Sequence, residues 1–311
     1  MTVNRPIVEK LLTNVSNMYV PDNYLSERIL PVIKVKENAG KIAGYGNDHI
    51  RADSFFHTGK GEYVSVDIDN RNNQSYFLEK HALKTIITEE DYRNVEAPYE
   101  AEVDAVNYIT SLLWTEKEIG LASTLSNTSI ITQNVTLSGT SQFNDETNST
   151  PLANFATATG TIADAVGQQP NLAVMSHPVY RQLRKHPTIL ARLGFSQNKI
   201  GFVSDKELAM VLGVEELLIG TGLKNTAKQG QADSVVPVWG KDIIFMVAPK
   251  TPAKRQIALG YRLQVSTSEP RRVTKELLKD PVGATKILID DTYQQLITNA
   301  KAAYLIKNAV A

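Results

Sequence analysis

Few residues in this sequence could do chemistry, and none of them has the spacing that an active site requires. The glycine-bearing stretch 220–224 lacks the pattern of a phosphate-binding loop, in which lysine and a hydroxyl residue directly follow the last glycine. Gly194 and Ser196 are not followed by the second glycine of the hydrolase Gly-x-Ser-x-Gly turn. We therefore expect a flexible loop at 220–230 and no serine nucleophile.

Histidines and paired acids give no stronger signal. No two histidines lie four residues apart around a glutamate, and none falls in a ligand cluster. His177 and His186 each precede a proline, so we interpret them as cap-region or surface residues. Adjacent acids are usually solvated, and the sequence has such pairs at Glu89–Glu90, Glu215–Glu216 and Asp290–Asp291. We predict no catalytic residue, no cofactor and no metal ligand.

The amino-acid composition indicates a folded, globular protein without disulfides. Hydrophobic residues make up 42% and charged residues 21% of the 311, which is typical of a folded globular chain. The 33 basic residues balance the 33 acidic ones, which disfavours dedicated nucleic-acid binding, and the absence of cysteine excludes disulfides and thiolate sites. The first 17 residues lack the apolar stretch of a signal peptide, so we expect the protein to stay in the cytosol.

The amino-terminal third predicts extended structure followed by a long helix. Pro6, Pro21 and Pro31 interrupt short apolar stretches, which favours an extended arm without a core of its own. Glycines and the alternating run 63–68 predict a long two-stranded hairpin between residues 41 and 69. A helix should then begin at Pro98 and run to about Leu125.

The remainder predicts a compact α/β region and a set of returning strands. A helix should begin at Pro151, a buried strand at Leu172, and a capped helix at Ser204. Strands are predicted over 257–265 and 285–297. The tail 299–311 should close that last sheet or form a short helix.

Residues 172–193, LAVMSHPVYRQLRKHPTILARL, carry the most specific resemblance in the chain. This stretch resembles the strand-then-helix segment of the axial domain in tailed-bacteriophage major capsid proteins of the Hong Kong 97-type fold. The order of arm, hairpin, long helix, α/β unit and returning strands is similar over nearly the whole chain. The resemblance implies an α+β fold class with an N-terminal arm, an extended β-hairpin loop, a peripheral domain with a long spine helix, and an axial α/β domain.

The resemblance also implies domain boundaries. The arm would span 1–38, the extended loop 39–69, the peripheral domain 70–169 together with 255–311, and the axial domain 170–254. Some relatives carry a cleaved scaffolding region before the arm, and none is seen here. Either this sequence is the mature form or scaffolding is a separate protein, and Met1 favours the separate protein.

The implied function is that of a shell subunit and not of an enzyme. Copies would assemble as pentamers and hexamers into the icosahedral head of a tailed phage, in the host cytoplasm, around double-stranded DNA that is contacted weakly and non-specifically. Further partners would be a portal and a decoration protein, and no membrane is involved. An encapsulin-like nanocompartment shell is the alternative within the fold, and an unrecognised soluble enzyme is the alternative outside it.

Candidate subunit-interface residues come from the arm, the loop and a basic cluster. Phe55 and Phe56 beside Arg51 are apolar rings in a loop without a core, which either seek a partner surface or form a local turn cluster. Lys60 near the loop tip could crosslink to asparagine, as in one relative, but an ordinary solvated lysine is the simpler interpretation. The remaining candidates are Pro21, Arg28, Arg271 and Arg272. The two arginines at 271–272, with Lys275, are expected on a solvated or intersubunit salt-bridged face.

Overall fold

The computed structural model describes residues 7–21, 23–44, 72–94, 100–194, 203–228, 230–253, 256–266, 270–278 and 283–311. In these ranges the α-helices are α1 Lys10–Met18, α2 Ser26–Ile29, α3 Glu89–Asn94, α4 Ala101–Leu125, α5 Pro151–Val166, α6 His177–Leu183, α7 Pro187–Arg192 and α8 Asp205–Leu212. Two 3-10 helical turns lie at Gly139–Ser141 and Ala300–Ala302.

The strands are as follows, in chain order: β1 Ile7–Val8, β2 Val32–Val35, β3 Ala39–Gly44, β4 Asn72–Phe77, β5 Glu79–Ile87, β6 Asn134–Thr136, β7 Leu172–Ser176, β8 Glu216–Gly220, β9 Leu223–Asn225, β10 Val235–Pro237, β11 Ile243–Met246, β12 Gly260–Val265, β13 Arg272–Leu277, β14 Thr285–Ile297 and β15 Ala303–Lys307. With the helices they give the mixed α+β composition that the sequence predicts.

The long predicted helix is present as α4. Val106, Ile109 and Leu113 recur at helical spacing and are buried, while Glu102 and Asp104 lie in the first turn, where acidic side chains complement the helix dipole. Twenty-five residues at about 1.5 Å per residue give a rod of roughly 37 Å. The predicted first residues of this helix, 98–99, lie outside the described residues.

A six-stranded sheet packs against this helix. Its order is β1-β13-β14-β12-β2, and β5 pairs with β14. Tyr293 in β14 is paired with both Glu79 of β5 and Gln264 of β12, so these two strands lie on opposite edges of β14. The buried residues Ile287 and Ile289 of β14 meet Ile109 and Leu113 of α4 in one apolar cluster.

A five-stranded sheet, order β6-β15-β11-β7-β8, contains the larger core. All five residues of β7 are buried, as expected for a strand covered on both faces. Phe155 packs against both Phe143 and Phe245, at a ring-centroid distance of 5.9 Å in each pair. The capping box predicted at Ser204 is confirmed: its backbone N–H donates to Glu207 Oε2 at 2.8 Å.

The C-terminal strand corrects one prediction. β15 pairs with β11 and β6 in the five-stranded sheet, and not with the strands 257–265 and 285–297. β6 and β15 are thus part of the sheet that was expected to fall within 170–254, although they lie in the ranges expected to be peripheral. Four of the five β15 residues are fully enclosed, because that strand lies between two others.

The arm also differs from the expectation. Residues 10–18 and 26–29 are helical, and Leu12, Leu25, Ile29 and Leu30 are buried in the cores of their own subunit. Residues 7–21 and 23–30 are therefore part of the folded chain, because Leu12, Leu25, Ile29 and Leu30 complete those cores. Other apolar side chains of this segment, such as Leu11 and Met18, are exposed.

The hairpin begins where predicted but its second strand comes later. β3 and β4 are antiparallel, with Ala39 opposite Phe77 and Gly44 opposite Asn72. The returning strand thus lies beyond residue 69, the expected end of the loop. The alternating run 63–68 lies outside the described residues.

Candidate assembly site and buried charge network

Ser149 and His186 are in hydrogen-bond contact, but the histidine donates the proton to the serine, which is the opposite of what a serine nucleophile requires. Ser149 Oγ lies 3.0 Å from His186 Nε2 and donates its proton to the carbonyl of Asp145. Since His186 Nδ1 accepts the backbone N–H of Thr188, the neutral ring carries its proton on Nε2 and donates it to Ser149. Burial lowers the pKa of His186 and keeps this ring neutral. The imidazole cannot act as a base toward Ser149, and the pair fastens a loop to the start of α7.

His186 corrects half of its interpretation from sequence. It caps α7 as predicted, but it is fully buried and is not a surface residue. Within the part of the chain that the structure describes, no group of three histidine, aspartate or glutamate side chains could hold a metal ion. None of the described helices has the length and apolarity needed to span a membrane.

A buried charge network lies where α4 crosses the six-stranded sheet. Lys117 Nζ donates to Asp291 Oδ2 at 2.9 Å, and the two side chains are 4% and 3% exposed. The ammonium also lies 4.5 Å from the ring centroid of Tyr293 and 5.0 Å from that of Trp114, where the π faces attract a cation. These contacts hold the middle of α4 to β14.

Two arginines and a glutamate of the arm extend this network. Arg262 Nη1 donates to Glu27 Oε1 at 2.8 Å, and Arg271 Nη1 lies 3.7 Å from the same oxygen. Arg271 stacks over Trp114 at 4.8 Å and donates to the carbonyl of Asn17 at 3.2 Å. The arm segment 17–27 is thereby tied to the helix and to the sheet at one point.

Ionisation in the network follows from the balance of burial and charge. Burial raises the pKa of Asp291, but Lys117, Arg271 and Arg262 outweigh it and leave the pKa below its usual range. Burial, together with the nearby Arg262 and Arg271, lowers the pKa of Lys117, and Asp291 offsets this only in part. Both groups are charged at neutral pH in this arrangement, because each contributes the counter-charge that the other needs.

A second buried carboxylate, Glu118, fastens α2. It accepts the backbone N–H groups of Leu25 and Ser26 at 3.0 and 2.8 Å, and the indole N–H of Trp239 at 2.7 Å. Burial raises the pKa of Glu118 in spite of these hydrogen bonds. Trp239 in turn packs on Gly220, where a methyl group would lie 2.2 Å from the indole Cδ1. Arm, spine helix and five-stranded sheet therefore meet at one carboxylate.

Sequence reasoning missed these charged residues, although the signal was present. Lys117 lies four residues after Leu113 and four before Leu121, so it falls on the buried face of the helix. Asp291 alternates with Ile289 and Tyr293 on the buried face of its strand. The prediction that the pair Asp290–Asp291 is solvated is wrong, since both are buried.

The predicted interface residues lie in different surroundings. Arg51, Phe55, Phe56 and Lys60 lie outside the described residues. Pro21 is partly buried and Arg28 is exposed but forms an ion pair with Glu216 of its own chain.

The basic cluster 271–275 is salt-bridged, but within its own subunit. Arg272 Nη2 lies 3.2 Å from Asp290, and Lys275 is paired with Glu102. Arg271 is 6% exposed and belongs to the buried network, so its own subunit accounts for its contacts. The interface role of Arg28 and Arg272 remains a prediction.

Comparison with known proteins gives two sequence relatives over much of the chain. The major capsid protein of Burkholderia phage BcepMu is 23% identical over 311 residues and covers 96% of each chain. The major capsid protein of Pseudomonas phage JBD67 is 24% identical over 238 residues, covering 75% of this chain and 74% of the relative. No protein-family model matches the sequence.

Solved structures of phage-related and encapsulin proteins superpose on this chain over nearly its whole length. A phage-related protein from Bordetella bronchiseptica superposes with a TM-score of 0.76 at 20% identity, covering 98% of each chain. The capsid of cyanophage P-SCSP1u gives 0.54 at 9% identity, covering 99% and 90%. The SrpI encapsulin of Synechococcus elongatus gives 0.52 at 11%, covering 97% and 95%. The fold class that the sequence resemblance implied is confirmed.

Proposed function

We propose, from the premise that this chain is a phage major capsid protein with the Hong Kong 97-type fold, that its copies close into the icosahedral shell of a tailed-phage head. The observation that carries the proposal is the similarity to the BcepMu major capsid protein over 96% of both chains. Similarity that runs through arm, hairpin, spine helix and both sheets covers the whole subunit and not one shared domain.

The internal organisation of the subunit supports this role. In a shell, one subunit has several neighbours and must keep its shape while contacts form on every side. The network around Lys117 and Asp291, with Glu118 beside it, ties the arm, the long helix and two sheets together. Such a junction gives a rigid building unit whose exposed segments are left to make the contacts between subunits.

Domain roles follow as proposals. The hairpin that starts with β3 and ends with β4 is the extended loop that reaches a neighbour, and the six-stranded sheet with α4 is the peripheral domain. The five-stranded sheet with α5 to α8 is the axial domain around the fivefold and sixfold axes. Its helix α5 and strands β6 and β15 come from outside 170–254, so the axial domain is built from two stretches of chain, one from β6 to β11 and the other containing β15.

Interface contacts are proposed for the residues that the sequence singled out. Arg28 keeps a 58% exposed side chain despite its ion pair, and Arg272 is 40% exposed, so both can reach a second copy. Pro21 and the loop residues Arg51, Phe55, Phe56 and Lys60 are proposed to contact neighbours as well. We further propose a separate scaffolding protein, a portal, a possible decoration protein and enclosed double-stranded DNA as partners, with assembly in the host cytoplasm.

We propose no enzymatic activity. The curated relatives are named as structural capsid proteins. His186 donates its proton to Ser149 and cannot accept the serine proton, as the base of a serine nucleophile must. This supports a structural role for both residues.

An encapsulin-like compartment is the second candidate, favoured by the superposition with the SrpI encapsulin. The two sequence relatives are both phage capsid proteins, which is why the phage head is preferred. A nanocompartment would be smaller and would package protein cargo instead of DNA.

Assembly can be tested directly. We would express the full chain alone and with candidate scaffolding proteins from its genomic neighbourhood, and analyse it by size-exclusion chromatography and negative-stain electron microscopy over a range of salt. Closed shells, or rings of five and six, are expected, and their diameter separates a phage head from a small compartment. A monomer or dimer under every condition would contradict the proposal.

A further inference from the structure

Two adjoining grooves next to α6 carry a concentration of positive charge that the neutral chain does not share. The first groove has a volume of about 570 Å³. Among the described residues that line it, none has an acidic side chain, whereas four have basic ones: His177, Arg181, Arg184 and Lys185. His177, Arg181 and Lys185 are exposed and follow one another at four-residue intervals, which places them on one side of the helical turn.

The second groove continues the first, because Pro178 lines both. It has a volume of about 560 Å³ and adds Lys224, Lys241 and Lys307. Its one acidic lining residue, Asp242, is buried and accepts the backbone N–H of Asn308 at 3.0 Å. The carboxylate is thus engaged by the chain, while the exposed Lys241 beside it is free to point outward.

Four of these cations form no ion pair with another residue in the part of the chain that the structure describes. Arg181, Lys185, Lys224 and Lys241 take part in no salt bridge there. Arg184 is held differently, by donating from Nε to the carbonyl of Val203 at 2.8 Å and by stacking on Tyr180 at 5.1 Å. Like charges at four-residue spacing repel one another, so an anion that bridges them is stabilising.

We propose that these two grooves are the surface on which the shell subunit contacts the phosphate backbone of enclosed DNA. The inference rests on the proposed function, since it identifies where a head subunit would meet its contents. In a closed shell the side of the five-stranded sheet that carries α6 would therefore face the interior.

A polymer fits these grooves better than a single anion. The cations are spread over α6, β9, the turn before β11 and the end of β15, so they present a track and not one cradle. Nucleic-acid backbones satisfy such a track through many weak, salt-sensitive contacts.

An acidic protein segment is the competing occupant, and the lining disfavours it. Protein interfaces depend on apolar or aromatic anchors at their centre. The exposed large apolar side chains of the described chain do not include any residue lining these two grooves. The larger apolar residues of the lining, among them Val236 and Val238, are half-buried or buried, whereas Arg181, Lys185 and Lys241 are exposed. The side chains that an occupant reaches first are therefore cations, which suits phosphates.

The test compares DNA binding by two triple variants of the full chain. One replaces Arg181, Lys185 and Lys241 by glutamine in the grooves. Its matched control replaces Lys34, Lys36 and Lys84 by glutamine, three exposed lysines in or beside the six-stranded sheet. Unassembled protein would be titrated with a short labelled duplex of arbitrary sequence at several salt concentrations, by fluorescence anisotropy.

We expect the groove variant to bind the duplex about tenfold more weakly at low salt, and its log affinity to depend less on log salt, by up to about 0.9 for each cation removed. The control should match the wild type. Equal loss in both variants, or no loss in the groove variant, would overturn the proposal. Competition by polyglutamate as strong as that by unlabelled DNA would overturn it in favour of an acidic protein segment.

Shell formation separates this inference from the function on which it rests. If shells never form, the proposed function fails; if the groove variant forms shells and binds DNA like the wild type, only this inference fails. DNA added outside closed shells should bind wild type and groove variant equally, because the grooves face inward. A difference there would place the grooves on the outer surface and reject their assignment to enclosed DNA.

Discussion

At the scale of single residues, the subunit depends on charges that are buried together. Three cations, Lys117, Arg262 and Arg271, face two carboxylates, Asp291 and Glu27, and of these only Glu27 keeps substantial exposure, at 37%. A buried ion pair contributes little net stability, but removal of one partner leaves an uncompensated charge. The two members of the central pair are therefore not equivalent: loss of a cation balances the group, and loss of Asp291 unbalances it further.

We expect Asp291→Asn to destabilise the subunit more than Lys117→Met. Asp291→Asn leaves three buried cations against one glutamate and should cost about 3–5 kcal/mol of unfolding free energy. Lys117→Met keeps the packing against Trp114 and Tyr293 and leaves two charges of each sign, so its cost should be smaller, on the order of 1–2 kcal/mol. Urea unfolding of the unassembled protein measures both, and a larger cost for Lys117→Met would contradict the charge count.

The pH dependence of Asp291 has a defined sign. Its pKa in the folded chain lies below that of an unfolded aspartate, about 3.9. Its stabilising contribution is therefore present above that value and is lost as the pH falls through the lower, folded pKa. The stability difference between wild type and Asp291→Asn should shrink as the solution is acidified below about pH 4.

Glu118 should show the opposite pH dependence of stability, which makes it an internal control for Asp291. Burial raises its pKa in the folded chain, so its contribution is fully present below the unfolded pKa and is lost as the pH rises through the folded value. Relative to Glu118→Gln, the wild type should therefore lose stability with rising pH in that window. Parallel curves for the two variants in urea unfolding at graded pH would show that neither carboxylate titrates as inferred.

At the scale of elements, close approach between a strand and an indole positions the arm. β8 ends at Gly220, where the indole of Trp239 occupies the space that a side chain would fill. That position allows Trp239 to donate to Glu118, which in turn receives the first backbone N–H groups of α2. One glycine in the five-stranded sheet thus affects how a helix of the arm is held.

We expect Gly220→Ala to displace Trp239 and to destabilise the chain by about 1–3 kcal/mol, as overpacked cores do. Gly160→Ala is the matched control, because Gly160 lies in α5 and a methyl group there meets nothing within 4 Å. It should stabilise the helix by up to about 1 kcal/mol. Thermal unfolding with tryptophan fluorescence reports both effects, and an unchanged emission spectrum for Gly220→Ala would argue against displacement of Trp239.

At the scale of the whole molecule, the arm is a structural part of the subunit. Ile29 and Leu30 are buried in the larger core, and Leu12 in the smaller one. The amino-terminal segment thus links the core of the five-stranded sheet and the core between α4 and the six-stranded sheet within one chain. Arm residues 7–21 and 23–30 are thus packed in the single chain.

Ile29→Ala should lower the unfolding free energy of the unassembled subunit by about 2–5 kcal/mol, because it opens a cavity in a closed core. Ile7→Ala, at a side chain that is 68% exposed, should change it by no more than about 0.5 kcal/mol. Denaturant unfolding measures both. If Ile29→Ala altered shell assembly but left unfolding of the subunit unchanged, the arm would act between subunits and not within one.

The sequence alone determined the local elements and the family likeness. Helix α4, the start of α5 at Pro151 and the capping box at Ser204 follow from hydrophobic period and cap chemistry, which act over a few residues. The stretch 172–193 carried the resemblance whose implied fold is confirmed by the structural comparisons.

Tertiary structure alone decided where distant segments meet. The pairing of β15 with β11 and β6, and the burial of the arm, depend on contacts between residues far apart in the chain, which no local period encodes. The same holds for Lys117 and Asp291, 174 residues apart. The helical spacing around Lys117 and the strand alternation around Asp291 indicate that both positions are buried. A charge is stable at either position only because the opposite charge lies beside it on another element.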